Sequence, residues 1–395
     1  MIFWIFLAGA LALLGLHLAS VAITLRRLSG PARAEGSLIG TPPITLIRPL
    51  CGLNAFEEET LESSFRLSYP AYDLIFCVED AADPVLPLIR ALIARHPQVP
   101  AQVLVGFDRG TDNPKLNNLC KGWQAAQSDW VCLADSNLLL PEDYLEQVAA
   151  CWGPDTGAVS SPPVAIRPEG WGGALEAAFL NSNQARLQLV IDSLGSGYAQ
   201  GKTLFFNKPL LNRAGGLKAL GRWLAEDVAT THVVRALGAQ VRLTPHPFAQ
   251  PIGARRFDEV WGRQLRWSRV RRDGFPVLFL AEPLNGALIP VALAGLAAAG
   301  LGLGALPVLG YLALWYLAEI VLLWRADWPR GLRTLACLPL RDLLLPALWG
   351  STFLRRGFEW RGKALEKPHV AHDAAQHSAL QHGSSGAPCS AVAAE

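Results

Sequence analysis

The chain has 395 residues, of which 51% are hydrophobic and only 17% are charged, and its formal net charge is +2. Charged residues usually make up about 25% of a soluble domain, so this is not the composition of an ordinary soluble protein. The near-zero net charge gives no reason to expect nucleic acid as a partner. The apolar excess lies at the N-terminus and in the last third. This distribution predicts a globular domain attached to a bilayer.

The first predicted element is an N-terminal membrane anchor. Residues 2–24 form an apolar run without a charge, and about 20 residues suffice to cross a bilayer. A cleaved signal peptide is the alternative, but no basic residues precede the run, and Arg26 and Arg27 follow it directly. Basic residues beside an apolar span mark its cytoplasmic side. The pattern favours an uncleaved anchor over residues 1–25 with its C-terminal end in the cytoplasm.

Strands and helices are predicted to alternate in the next hundred residues. Short apolar runs bounded by turn residues predict buried strands at residues 44–49, 73–80, 102–106 and 130–136. Helical patterns lie between and after them, at residues 56–66, 84–95, 115–126 and 141–152. This alternation predicts a mainly parallel, three-layer α/β sheet, in which ligands bind beyond the carboxyl ends of the strands. Asp80 and Asp135 each stand at such an end.

The second half of the predicted globular domain, which spans residues 41–275, is less regular. Residues 170–191 predict a long amphipathic helix, and a Gly-rich turn leads to an apolar run at residues 204–207. A further helix is predicted at residues 226–237, closed by Gly238. Residues 258–273 are strongly basic and aromatic.

Residues 276–362 are predicted to form membrane and interfacial helices. Residues 284–306 and 308–324 predict two spans joined by a tight turn near Pro307, with both outer ends in the cytoplasm. Residues 335–353 contain Arg341 and Asp342, and a charged pair inside a bilayer is costly. We therefore expect an interfacial or re-entrant segment there rather than a span. Residues 363–395 predict a disordered tail.

The 7 cysteines show no CxxC spacing, and several lie within apolar strand-like runs. This argues against a zinc site and favours buried free thiols in a reducing compartment.

Three acidic positions are candidates for chemistry, and each has a structural alternative. Asp80 suits a turn, but it could also contact the nucleotide of a donor. Asp135 could cap a helix, although a carboxylate at a strand end can also hold a divalent cation on a diphosphate. Glu226 and Asp227 are favourable in the first turn of any helix, yet such a carboxylate can also act as a general base.

Several basic and polar residues are further candidates. Arg263, Arg266 and Trp267 could be an ordinary juxtamembrane patch, or a cationic clamp on a diphosphate leaving group. Lys115 and Asn117 open a predicted helix and could be solvated surface, or could lie beside a phosphate at a helix N-terminus.

The order of these motifs along the chain resembles the ceramide glucosyltransferases, a processive-synthase-like family with a GT-A fold. The resemblance extends from residue 44 to the C-terminal apolar segments. The sequences that carry it are IRPLCG (47–52), LSYPAYDLIFCVEDAADP (67–84), NPKLNNL (113–119), ADSN (134–137), AED (225–227) and RQLRW (263–267).

The resemblance implies a role for each candidate. Asp80 matches the first of three family aspartates, a nucleotide contact beside Glu79, and Asp135 matches the second, which is associated with Mg²⁺ or Mn²⁺. Asp227 matches the third, the base. The chain has Asp135-Ser136-Asn137 where many GT-A enzymes have DxD, so we expect weak metal binding that depends on the donor diphosphate.

The remaining motif residues receive roles in the same way. Arg263, Arg266 and Trp267 match the catalytic RxxRW motif, and Lys115 and Asn117 fall in a substrate-binding segment.

The resemblance implies inverting transfer of glucose from UDP-glucose to the primary hydroxyl of ceramide. Alternatives are another acceptor, such as a hopanoid or diacylglycerol, and another UDP-sugar, such as the galactose, glucuronate or N-acetylglucosamine donor. A non-catalytic membrane-anchored binding protein would lack the acids, and a transporter would have more spans. We expect an integral membrane protein with a cytoplasmic catalytic domain. Its composition, rich in Arg, Ala, Gly and Leu, suggests a bacterial inner membrane.

Overall fold

The computed structural model describes residues 1–31, 40–107, 110–223, 225–354, 358–360 and 363–365. The predicted tail therefore lies outside the described residues from position 366 onward, and its first three residues form a short strand. The described chain contains a mixed α/β domain and a set of apolar helices that pack beside it.

Eleven strands are described. They are β1 (Ile44–Leu50), β2 (Tyr72–Val78), β3 (Ala101–Val105), β4 (Trp130–Ala134), β5 (Thr156–Ser160), β6 (Pro163–Glu169), β7 (Thr203–Asn207), β8 (Gln240–Leu243), β9 (Phe248–Ala254), β10 (Phe358–Trp360) and β11 (Lys363–Leu365). Seven of them form one sheet in the order β3-β2-β1-β4-β7-β5-β8, in which β7 is antiparallel to both of its neighbours. β6 pairs in parallel with β9 in a separate two-stranded sheet. β10 and β11 form an antiparallel pair.

The α-helices are α1 (Ile2–Leu28), α2 (Glu57–Glu62), α3 (Val85–Arg95), α4 (Pro114–Ala125), α5 (Tyr144–Ala150), α6 (Gly170–Ala178), α7 (Arg186–Ser193), α8 (Lys208–Arg213), α9 (Glu226–Ala236), α10 (Phe257–Gly274), α11 (Pro276–Ala281), α12 (Leu288–Gly300), α13 (Leu306–Arg325) and α14 (Leu332–Ser351). A π-helical segment, Phe179–Ala185, joins α6 to α7. Short 3₁₀ turns occupy Ser63–Arg66, Leu217–Arg222 and Glu282–Asn285.

The core lies on both faces of the seven-stranded sheet because side chains alternate along each strand. In β2, Leu74 and Phe76 join one hydrophobic cluster, whereas Ile75 and Cys77 join the cluster on the opposite face. A strand buried on both faces reads as a continuous apolar run, and this explains why the four N-terminal strands were predictable. Those predictions are confirmed to within two residues at each end.

The C-terminal apolar region differs in detail from the prediction. Residues 301–305 connect α12 to α13, so the turn precedes Pro307, which lies in the first turn of α13. Proline is favourable there because its missing N–H would have no helical partner. The segment predicted as interfacial or re-entrant is one continuous 20-residue helix, α14, with Arg341 and Asp342 buried inside the protein.

Two helices in the described part of the chain, α1 and α13, are long and apolar enough to cross a membrane. The segments Pro276–Asn285 and Leu288–Gly300 meet at an angle of 55° and would add a third crossing if together they form one broken span. Helix α1 packs against α7, α12 and α13, and α14 packs against α6. The segment from α6 to α7 thus connects the α/β domain to the apolar helices.

Candidate active site

A cleft of about 730 Å³ opens at the carboxyl ends of β1 and β4. Its walls come from the N-terminal ends of α4 and α9 and from one side of α10. Eight residues singled out in the sequence line it: Glu79, Lys115, Asp135, Glu226, Asp227, Arg263, Arg266 and Trp267. The sheet topology therefore brings together acids and bases that are far apart in the chain.

Asp135 lies at the floor of the cleft between two lysines. Lys115 Nζ is 2.6 Å from one carboxylate oxygen, and Lys202 Nζ is 2.8 Å from the other. These two cations hold the pKa of Asp135 well below its usual range even though burial opposes ionisation. Asp135 is therefore a carboxylate in the folded protein.

The turn after β4 is held by a buried arginine. The Arg48 guanidinium, fully buried in β1, donates to the carbonyl oxygens of Asp135 (2.7 Å), Ser136 (3.0 Å) and Leu138 (2.9 Å). A guanidinium presents several donors in a rigid plane, so one side chain can fix three carbonyls of the same turn. Arg48 thereby sets the direction of the Asp135 side chain.

Lys115 also connects the floor of the cleft to α9. Its Nζ is 2.6 Å from Glu226 Oε1 and donates to the carbonyl oxygen of Gly201 at 2.7 Å. Asn113 Nδ2 donates to the other Glu226 oxygen at 3.2 Å. The two carboxylates of Asp135 and Glu226 raise the pKa of Lys115 despite its burial. Lys115 is therefore positively charged.

Asp227 stands beside this ion-paired cluster without a cationic partner at bonding distance among the described residues. Its carboxylate accepts hydrogen bonds from the backbone N–H of Val228 (2.8 Å) and of Gly201 (3.3 Å). Burial, followed by the negative charge of Glu226, raises its pKa to about 6. A carboxylate with such a pKa can accept a proton near neutral pH.

Helix α10 brings two arginines to the cleft, and they differ in whether they form an ion pair. Arg263 forms an ion pair at 3.0 Å with Glu176, a fully buried carboxylate on α6. Arg266 forms no hydrogen bond or ion pair with the part of the chain that the structure describes. Arg266 is thus the cation best placed to receive an anionic ligand.

Two predicted residues lie outside the cleft lining. Asp80 is exposed, and its carboxylate accepts from the backbone N–H of Ala82 at 2.9 Å, although the adjacent Glu79 does line the cleft. The side-chain oxygen of Asn117 accepts a hydrogen bond from the backbone N–H of Thr111 at 2.9 Å. Its neighbour Asn118 faces the cleft instead and donates to the carbonyl of Cys77 at 2.9 Å. The roles predicted for Asp80 and Asn117 remain predictions.

A second, mainly apolar pocket of about 150 Å³ adjoins the cleft. The two cavities share the lining residues Gln200, Asp227, Trp267 and Val270. From this junction the pocket extends to α11 and α14, which contribute Leu278, Leu345 and Leu348 among other residues. Asp227 therefore lies where a polar cleft meets an apolar pocket.

The donor atoms around Asp135 test whether a divalent cation fits. Within the described ranges, no group of three or more His, Cys, Asp or Glu side chains could hold a metal ion. Both oxygens of Asp135 already face lysines. Mg²⁺ is commonly bound through one or two carboxylates together with substrate phosphates and water. The residues therefore fit a divalent ion only when a bound diphosphate supplies further oxygens.

Three site residues were missed in the sequence. Lys202 follows a glycine immediately before a buried strand, Glu176 is the lone acid in an apolar helix, and Arg48 interrupts an apolar strand. In each case the signal was a single charged side chain within or directly beside an apolar run. Such a charge is expensive to bury and thus marks a specific partner.

The chain is similar to known glycosyltransferases in sequence. The sequence model of the family described as Glycosyl transferase family 21 matches residues 5–369. Ceramide glucosyltransferase 1 of Caenorhabditis elegans is 27% identical over 271 residues, which cover 68% of this chain and 58% of that protein. The ceramide glucosyltransferase of Komagataella phaffii is 26% identical over 322 residues, covering 66% and 61%. The matched region thus spans about three fifths of these relatives.

Among solved structures, the fold is similar to that of the mannosyltransferase PcManGT from Pyrobaculum calidifontis, which was solved with GDP-Man and Mn²⁺. The TM-score is 0.55 at 18% identity, and the match covers 88% of this chain and 99% of that chain. The mixed seven-stranded sheet and this likeness establish a GT-A fold for the α/β domain. The predicted fold class is confirmed.

Proposed function

Because the chain belongs to glycosyl transferase family 21 and is therefore a glycosyltransferase, we propose that it transfers glucose from UDP-glucose to the primary hydroxyl of ceramide. The product is β-glucosylceramide. The observation that carries this proposal is the position of Asp227 at the junction of the polar cleft and the apolar pocket. A water-soluble donor can enter from one side and a lipid hydroxyl from the other.

The reaction is a single inverting displacement in which Asp227 is the general base. The carboxylate removes the proton from the lipid hydroxyl as that oxygen attacks the anomeric carbon. The bond from this carbon to the diphosphate breaks, and the diphosphate leaves with the electron pair. The raised pKa of Asp227, about 6, matches this task because a base near ambient pH is both ionised and able to hold a proton.

The departing diphosphate gains negative charge, which the free guanidinium of Arg266 is placed to stabilise. Arg263, paired with Glu176, positions α10 beside it. Lys115 and Lys202 add positive charge at the floor of the cleft. We propose that Glu79 and, at the rim, Asp80 face the nucleoside end of the donor.

Mg²⁺ or Mn²⁺ would be held by Asp135 together with the donor phosphates. When bound, the ion would supply further positive charge to the leaving group. The Mn²⁺ in the structurally similar mannosyltransferase supports a divalent ion in this fold generally.

We also propose the arrangement of the chain in the membrane. Residues 1–25 anchor the protein, residues 41–275 form the catalytic domain at the cytoplasmic face, and residues 276–362 form membrane and interfacial helices. The apolar helices α1 and α13 and the bent pair before α13 support membrane association. The bacterial inner membrane remains a prediction from composition.

The test is a screen of donors against acceptors with the full chain in nanodiscs. UDP-glucose, UDP-galactose, UDP-glucuronate and UDP-N-acetylglucosamine are each paired with ceramide, diacylglycerol and a hopanoid. Each pair is run with Mg²⁺, with Mn²⁺ and with a chelator, and products are identified by mass spectrometry. We expect hexosylceramide from UDP-glucose, with the highest yield when a divalent ion is present. Product on another lipid alone would change the acceptor, and no product from any pair would contradict the proposed function.

The variant Asp227→Asn tests the base in the same assay. We expect transfer to fall by about 10² to 10⁴-fold, the usual contribution of a general base, while UDP still binds. Asp155→Asn is the matched control, because Asp155 forms an exposed ion pair with Arg242 away from the cleft. Full transfer by Asp227→Asn would overturn the assignment of the base.

A further inference from the structure

The apolar pocket is built to take an uncharged lipid head. Its wall contains an arginine and a glutamate, Arg271 and Glu282, that pair with each other, and Ser268 donates to Glu282 at 2.8 Å. The charges of this pair cancel, and Asp227 is the remaining carboxylate among the described lining residues. An anionic headgroup would be repelled by Asp227, so the pocket favours a neutral acceptor.

Among the described residues that line the pocket, Gln264 carries a buried side-chain nitrogen without a hydrogen-bond partner. Gln264 on α10 is 2% exposed and lines the pocket. Its side-chain oxygen accepts from Gln184 Nε2 at 2.7 Å, which fixes the plane of the amide. Its own Nε2 has no hydrogen-bond partner among the described residues. Buried donors are almost always bonded, so this N–H points to a ligand that supplies an acceptor.

Gln264 and Asp227, the proposed base, line the same pocket, and this limits which ligands can contact both. Gln264 and Trp267 are three residues apart on α10 and therefore lie on the same face of the helix. Trp267 and Asp227 both line the junction with the cleft. Gln264 and Asp227 line the same pocket, so a lipid bound there with its hydroxyl at Asp227 can also contact Gln264.

We propose that Gln264 is a specificity-determining residue whose Nε2 donates to a carbonyl oxygen of the acceptor lipid. The acceptor class is a neutral lipid in which an acyl carbonyl lies a few bonds from a primary hydroxyl. The amide of ceramide and the ester of diacylglycerol meet this requirement, whereas a hopanoid or a dialkyl ether lipid does not. This inference rests on the proposed function, since it assumes that a lipid hydroxyl reacts at Asp227.

The test compares wild type with Gln264→Leu and with Gln264→Met in nanodiscs. We expect each variant to raise the apparent KM for ceramide about tenfold, because one hydrogen bond to a neutral group is lost, while the affinity for UDP stays unchanged. Gln250→Leu is the matched control. Gln250 is equally buried and also carries an unpartnered atom, but it lines neither cavity.

A second measurement uses only the wild-type enzyme, so it does not depend on the folding of a variant. Diacylglycerol and the corresponding dialkyl ether, which lacks the carbonyls, compete with ceramide. We expect the diacyl lipid to compete about ten times more strongly.

An unchanged KM in both Gln264 variants, or equal competition by the two glycerolipids, would overturn the role of Gln264. Transfer to a hopanoid but not to ceramide would overturn the acceptor class. Absence of transfer to every lipid would instead contradict the proposed function itself.

Discussion

At the scale of single residues, the cleft contains carboxylates that are paired with lysines and one that is not. Asp135 lies between two lysines at 2.6 and 2.8 Å, which favours its charged form, and Glu226 is paired with Lys115 at 2.6 Å. Asp227 has only backbone donors at bonding distance and lies next to Glu226. A neighbouring negative charge and burial both disfavour ionisation, so the same residue type has opposite pKa shifts at two positions in one cleft.

The pKa of Asp227 predicts the pH dependence of transfer. The carboxylate is the active form of a base, so kcat/KM should be constant above about pH 6 and fall as the pH decreases through that value. The measurement is the rate of transfer from pH 4.5 to 8 at low substrate concentration. A profile that stays flat down to about pH 4.5 would contradict this assignment.

Glu226→Gln tests independently whether the charge of Glu226 raises the pKa of Asp227. Removing the negative charge beside Asp227 should shift the acidic limb of the profile to lower pH, because Glu226 raises the pKa of Asp227. The positive charge of Lys115, which loses its partner Glu226 in this variant, acts in the same direction. An unchanged profile or a shift to higher pH would therefore contradict this cause.

At the scale of elements, α14 is held to its neighbours by buried charges. The Arg341 guanidinium is 2.9 Å from Glu319 on α13, 2.6 Å from Asp342 and 2.6 Å from Ser182 Oγ in the π-helical segment. Asp342 also accepts from the backbone N–H of Ala287 at 2.9 Å. These bonds explain how α14 accommodates a charged pair inside the protein. The interfacial or re-entrant position in the membrane stays a prediction for this segment.

The π-helical segment connects this cluster to the apolar pocket. Phe179, Leu180, Asn183 and Gln184 from this segment line the pocket, while Ser182 bonds to Arg341. π-Helical turns are often found at functional sites because they change which side chains face a cavity. The charge cluster therefore supports the wall that holds Gln184 and, through it, Gln264.

Arg341→Leu should strongly destabilise the protein. It leaves two buried carboxylates without their cation, and breaking a buried ion pair in this way costs about 3–5 kcal/mol. The measurement is thermal or denaturant unfolding in detergent. Arg330→Leu is the matched control, because Arg330 pairs with Asp327 on the surface, where such pairs contribute about 0–1 kcal/mol. Equal stability of the two variants would contradict the structural role of the cluster.

At the scale of the whole molecule, the proposed function assigns the polar cleft to the water-soluble donor and the apolar pocket to the lipid acceptor. The larger cleft is lined by the α/β domain, including α10, and the smaller pocket reaches α11 and α14. Asp227 and Trp267 are shared by both. The arrangement predicts that the acceptor arrives from the bilayer rather than from solution.

This prediction can be tested by surface dilution. The rate of transfer should follow the mole fraction of ceramide in the bilayer, because residues of the apolar C-terminal helices α11 and α14 line the pocket. Once all of the enzyme is embedded in liposomes, the rate should stay constant when ceramide and carrier phospholipid are diluted together at a fixed ratio. The measurement is the initial rate in proteoliposomes of graded composition. A rate that follows bulk ceramide concentration at constant mole fraction would contradict entry from the membrane.

The sequence by itself determined the N-terminal strands and helices of the α/β domain, the N-terminal apolar helix and the ordered set of motifs. Each of these depends on local information. A strand buried on both faces is a continuous apolar run, and a membrane-length helix is a long uncharged one. The strands β5, β6, β8 and β9 were not predicted. They are short or pair with distant partners, so local pattern specifies them weakly.

Only the tertiary structure decided which side chains meet. Lys202 contacts Asp135 because β7 is antiparallel to β4, and Glu176 contacts Arg263 because α6 packs on α10. The burial of Arg341 follows from packing between helices far apart in the chain, as does the Gln264 Nε2 that has no partner among the described residues. Such contacts depend on topology, and the charge or amide in the sequence indicates only that some partner is needed.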